Sequence, residues 1–139
     1  MPRNALLLIS RLLLAALFVP SGFQALTNIA GTTSYFAGLG LPLPTLAAWG
    51  TGLFELIAGL LILVGFQIRI VALLLAAFSI AAGFIGHYGQ GADATLAFMH
   101  QQMLMKDIAI AGGFLALAMA GAGTWSADGR SVGIGAEVT

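Results

Sequence analysis

The sequence predicts an all-α integral membrane bundle of four transmembrane helices. Three observations lead there. The 139 residues are 60% hydrophobic and only 7% charged, where a soluble domain carries about 25% charged residues. Their mean hydropathy is +1.02. The apolar residues also gather into four long runs, near residues 6–29, 46–66, 70–88 and 103–122. Each run is close to the roughly 20 residues that a helix needs to cross about 30 Å of hydrocarbon. Backbone polar groups in lipid must be satisfied within the segment, so the runs are helices and not isolated strands.

The first run opens after Arg3 and has the basic start of a secretory signal. It is interrupted by Arg11 and outlasts an h-region of about 7–15 residues, so it is expected to be a retained span. Pro20 inside it predicts a kink. A longer uncharged loop follows, in which Thr32, Thr33 or Ser34 offers a cap for a short interfacial helix. Runs two and three are joined by a few residues around Phe66–Arg69, so they form a tight antiparallel hairpin. Residues 1–123 are expected to form the transmembrane domain, and 124–139 a polar, flexible cytoplasmic tail. Arg3, Arg69 and Arg130 fall on the side that holds both termini, so both termini are expected to be cytoplasmic.

A net formal charge of zero argues against nucleic-acid binding, which needs a basic patch or stripe. The chain has no cysteine, so disulfide chemistry, thiolate nucleophiles and thiolate-bound iron–sulfur clusters are excluded. Phosphate-binding loops and nucleophile elbows are absent too. His87 and His100 are the two histidines. Both are placed at helix ends around a loop, so no bis-histidine haem site is expected. With Asp93 they match no metal-ligand motif, so no metal is assigned. Any redox role then depends on a bound molecule or a partner.

Charged residues inside apolar spans carry the functional interest, because each costs about 2.5–3.5 kcal/mol at a helix centre. They are Arg11, Glu55, Lys106 and Asp107. Gly52, Glu55 and Gly59 share one helical face, with the glycines permitting close helix approach. Arg11, Ala15, Phe18, Gly22 and Ala25 form a stripe on the first span. Arg11 and Glu55 are offset by about 9 Å along the membrane normal at 1.5 Å per residue. Arg11 either pairs with Glu55 or snorkels to headgroups. Lys106 heads a stripe with Ala109, Ile110, Gly113 and Leu117, and turns either inward or outward; Asp107 serves as its counter-charge. Ser79, Gly83 and His87 line the third span, with His87 either an interfacial hydrogen-bonding residue or a proton-active one. Depth brings Glu55, His87 and Lys106 to one pocket, with Arg11 as the second cation.

A set of short motifs in order gives the chain a resemblance to a known family. They are Arg11, Phe18-Val19-Pro20-Ser21-Gly22-Phe23, Gly38-Leu39-Gly40-Leu41-Pro42, Glu55 with Gly59, and Gly65-Phe66-Gln67-Ile68-Arg69. His87, Met105-Lys106-Asp107, Gly112-Gly113-Phe114 and the 121–128 segment complete the set. The whole resembles the DoxX family of small four-helix bacterial inner-membrane proteins. One position departs: family members commonly carry a lysine where this chain has Ala25, so the Arg11 stripe has one cation fewer. The resemblance implies a multi-pass protein of the bacterial inner membrane, linked in some relatives to respiratory quinone, sulfur oxidation and oxidative-stress complexes.

The expected function is that of an accessory, non-catalytic subunit of an oxidoreductase system. Its ligand is a quinone or similar amphipathic molecule held by Glu55, Arg11, Lys106 and His87, and it has no intrinsic cofactor. Its partners are the bilayer and a redox protein. Two alternatives stay open at this stage: a scaffold or homo-oligomer without small-molecule chemistry, and a small-solute transporter.

Overall fold

The computed structural model describes residues 2–130. In chain order the helices are α1 (Arg3–Thr27), α2 (Ile29–Gly38), α3 (Pro44–Val64), α4 (Ile68–His87) and α5 (Ala94–Ala120). There is no strand among the described residues. The protein is all-α, as its composition requires, and four of the helices, α1, α3, α4 and α5, are long and apolar enough to span a membrane. Large apolar side chains turn outward along them, with Leu13 69% and Met119 79% exposed. A soluble protein rarely shows so continuous an apolar surface; here lipid is the solvent.

Helix ends differ from the sequence boundaries for local reasons. The first apolar run breaks at Asn28, whose side chain accepts a hydrogen bond from Gly31 N at 3.1 Å and caps α2. Asn28 thus does the capping expected of Thr32, Thr33 or Ser34, while Thr32 Oγ1 donates back to the Asn28 carbonyl at 2.9 Å. Helix α1 runs through Pro20 as one element. Helix α5 starts at Ala94, nine residues before the expected 103, because the Asp93 carboxylate accepts from Leu96 N at 2.9 Å. A side-chain cap does not need an apolar neighbour. At 1.5 Å per residue the 27 residues of α5 reach about 40 Å, beyond the roughly 30 Å hydrocarbon layer.

The described chain divides into two compact units. The first holds α1, α2, α3 and the segment 122–130. Its centre is the α1–α3 contact. A methyl group at Gly22 would strike the backbone of Leu56 and the Gly52 carbonyl, and one at Gly59 would meet Val19 Cγ2 at 2.9 Å. The buried stripe of α1 is Arg11, Ala15, Phe18 and Gly22, as the spacing predicts. Between lipid-facing helices, where no hydrophobic force drives association, such small residues let van der Waals contact hold two backbones together.

The segment assigned to a polar tail has specific partners where it is described. Thr124 N donates to Asn4 Oδ1 at 3.1 Å, Asp128 N donates to the Gly65 carbonyl at 3.0 Å, and Ser126 is buried. The rest of that tail, 131–139, lies outside the described residues. The second unit spans 69–121 and contains α4 and α5. Here Gly83 gives the close approach: a methyl group there would lie 2.9 Å from Asp107 Cβ and 3.1 Å from Leu104 Cδ1.

Candidate functional site

Arg11 is 1% exposed, and its partners are carbonyls. Nη1 donates to the Leu63 carbonyl at 2.8 Å and Nη2 to the Trp125 carbonyl at 2.5 Å. Leu63 is in the last turn of α3, where carbonyls have no partner inside the helix and a cation opposes the negative end of the dipole. The Asp128 carboxylate is near enough to act electrostatically on the guanidinium. It also accepts from Gln67 N at 2.8 Å and Ile68 N at 2.9 Å, where α4 begins. Gly65 between these helix ends has φ 72°, and a methyl group there would sit 2.6 Å from Arg11 Nη1. Arg11 therefore neither pairs with Glu55 nor snorkels: it fastens α1 to the end of α3 and to the returning 122–130 segment.

The carboxylate of Glu55 has another neighbour. Ser21 Oγ donates to Glu55 Oε2 at 2.8 Å in a partly buried contact between α1 and α3. Ser21 also lines an open groove of about 330 Å³ with Gln24, Ala25, Asn28, Thr32 and Tyr35. All of these six side chains except Ala25 end in groups that both donate and accept hydrogen bonds. Ala25 leaves this wall uncharged. Sequence reading identified Glu55 and missed Ser21 and the groove, because a serine in a span carries no insertion cost large enough to stand out. Its place three residues after Phe18 on α1 is the available signal.

In the second unit the structure corrects the histidine reading. His87 Nδ1 and His100 Nδ1 are 2.9 Å apart, with ring centroids at 5.1 Å. His87 Nε2 lies 3.8 Å from Asp107 Oδ2, and the two side chains are 19% and 27% exposed. The sequence boundary at 103 places His100 at a helix end beside the loop. With α5 beginning at Ala94, His100, Leu104, Asp107, Ala111, Phe114 and Ala118 fall on one stripe, and Ala111, Phe114 and Ala118 are buried. Lys106 is on the other side and exposed, the outward of its two expected placements. Asp107, read as its counter-charge, instead faces α4. Arg69, at the far end of this unit, donates to the Ala118 and Met119 carbonyls at 3.2 and 3.3 Å. Of the four residues assigned to one pocket, Glu55 and Arg11 lie in the first unit, and His87 and Lys106 in the second. No group of three metal-binding side chains occurs among the described residues.

The DoxX family model matches residues 6–88, more than half of the chain. The protein belongs to the DoxX family. Among relatives, it is 35% identical over 128 residues to the inner membrane protein YphA of Escherichia coli K12, covering 92% of this chain and 91% of YphA. It is 36% identical over 126 residues to the inner membrane protein YqjF of the same organism, covering 87% of this chain and 88% of YqjF. No solved structure matches significantly. With its four apolar helices, this DoxX protein is a multi-pass protein of the inner membrane. The matched DoxX region carries Arg11, Ser21, Glu55 and His87, whereas His100 and Asp107 lie beyond it.

Proposed function

We propose that this DoxX protein is an accessory membrane subunit that holds a quinone or similar amphipathic molecule and serves a redox partner protein. One observation carries the reading: the Ser21 hydroxyl, on the groove wall, is hydrogen-bonded to the Glu55 carboxylate at 2.8 Å. A quinone ring presents two carbonyl acceptors and an apolar body. Gln24, Asn28 and Tyr35 supply donors to the carbonyls, while Ala25 and Gly31 leave room for the ring. Reduction of the ring by electrons from the partner requires protons at both oxygens. Glu55 supplies or takes one through the Ser21 hydroxyl, which both donates and accepts.

Purified protein in nanodiscs titrated with a short-chain ubiquinone should bind it saturably, with Glu55→Gln and Ser21→Ala each weakening the affinity at least tenfold. Absence of saturable binding to the wild type ends this reading. The scaffold reading draws on Arg11, whose two terminal nitrogens are taken up by carbonyls; under it Glu55→Gln lowers stability and changes no binding. For orientation, we place both termini in the cytoplasm on the arginine distribution. Alkaline phosphatase fused after residue 130 should be inactive, and an active fusion reverses the topology.

A further inference from the structure

The His87–His100 contact has a particular geometry. The centroid separation of 5.1 Å exceeds the 2.9 Å Nδ1···Nδ1 distance by about two ring radii. The two nitrogens therefore point at each other along the line between the rings. Two lone pairs cannot meet head-on at that distance without a proton between them, so one ring donates and the other accepts. On the far side of His87, Asp107 Oδ2 is 3.8 Å from Nε2, too long for a hydrogen bond and well within electrostatic reach. The carboxylate favours the tautomer of His87 that carries its proton on Nε2. His87 Nδ1 is then the acceptor and His100 Nδ1–H the donor, which leaves His100 Nε2 with a lone pair.

We infer that His100, His87 and Asp107 form a proton relay across the α4–α5 pair, a site separate from the proposed quinone groove. A hydronium ion at His100 breaks one O–H bond, and its proton forms a new N–H bond at His100 Nε2, leaving neutral water. The His100 Nδ1–H bond breaks, and that proton forms an N–H bond at His87 Nδ1. His100 is neutral again, and His87 is an imidazolium beside Asp107. The charge crosses two rings with each proton moving only a hydrogen-bond length, and Asp107 stabilises it where it arrives. The other ionisable groups of this unit are elsewhere: Arg69 on the α5 carbonyls, Asp93 capping α5, Lys106 exposed and Tyr88 against Phe84. Gly83 is what admits Asp107 to this position, since a side chain there would meet it. Histidine suits the task because its protonation changes near neutral pH.

The test is nitrogen NMR on the full chain, labelled with ¹⁵N-histidine, in bilayer nanodiscs. A cross-ring ¹⁵N–¹⁵N coupling between the two Nδ1 atoms is expected, with one dominant tautomer at each ring. On acidification the first imidazolium signature should appear on His87. Asp107→Asn should split the single tautomer set into two, because its carboxylate selects between them, and His100→Gln should abolish the coupling. If His100→Gln does not fold, the wild-type coupling and the Asp107→Asn spectrum decide. Missing coupling in the wild type, a first cation confined to His100, or an unchanged tautomer in Asp107→Asn each overturns the relay.

Discussion

Replacing Arg11 by leucine tests whether the charge in α1 is a structural fastening. The guanidinium donates to two carbonyls, of Leu63 and Trp125, and hydrogen bonds to charged groups are worth about 1.5–3 kcal/mol each. Side-chain hydrogen bonds measured inside membranes fall lower, near 0.6 kcal/mol on average. Leucine leaves both carbonyls and the nearby Asp128 without their cation, and an uncompensated partner adds to the loss. A destabilisation of roughly 3 kcal/mol is therefore expected, read as a lower midpoint in detergent-induced unfolding from bicelles. Gly65→Ala should reproduce much of it, because its methyl group would crowd Arg11 Nη1 at a backbone φ of 72° that alanine adopts with strain. The two substitutions damage one contact, so the double variant should lose less than the sum. An Arg11→Leu protein within about 0.5 kcal/mol of wild type, the range of an ordinary surface change, refutes the reasoning.

Three further outcomes are expected. Gly22→Ala should cost about 1–3 kcal/mol by overpacking α1 against the α3 backbone, whereas Gly50→Ala, with open space around it, should be neutral or stabilising in the same unfolding assay. Asp128→Ala should cost on the order of 1 kcal/mol, as loss of a helix cap does, and hydrogen exchange should quicken at the Gln67 and Ile68 amides; unchanged exchange at both contradicts the capping role. Lys106→Gln should leave stability unchanged within about 0.5 kcal/mol, since the side chain is exposed.

The four spans were legible because lipid leaves a chain few choices: long apolar runs must be helices. The α1 stripe and the glycine face of α3 were legible as well, since helical spacing alone puts Gly22 and Gly59 on contact faces. What escaped depended on contacts distant in sequence. Nothing near Arg11 points to the Leu63 and Trp125 carbonyls, 52 and 114 residues away. The Asp93 cap was local, yet the polar residues His100, Gln101 and Gln102 hid the first third of α5 behind a hydropathy threshold. That nine-residue shift in a boundary takes His100 from a helix end onto the stripe of Asp107, where it meets His87.

The charged residues separate by what their atoms already hold. Arg11 reaches the Leu63 carbonyl in the last turn of α3 and Arg69 those of Ala118 and Met119 in the last turn of α5, while Asp128 and Asp93 accept from amides where helices begin. These four do for the backbone what water does at the end of a soluble helix, so their presence in an apolar protein needs no ligand. Glu55 and the His87–His100 pair are different: their contacts are with other side chains, Ser21 in one case and each other in the second. A carboxylate paired with a hydroxyl and an imidazole paired with an imidazole are both arrangements whose protons can change owner without breaking a helix. If polar groups in this membrane protein earn their place by chemistry, these are the two positions where substitution should alter proton movement while the fold survives, the reverse of the outcome at Arg11.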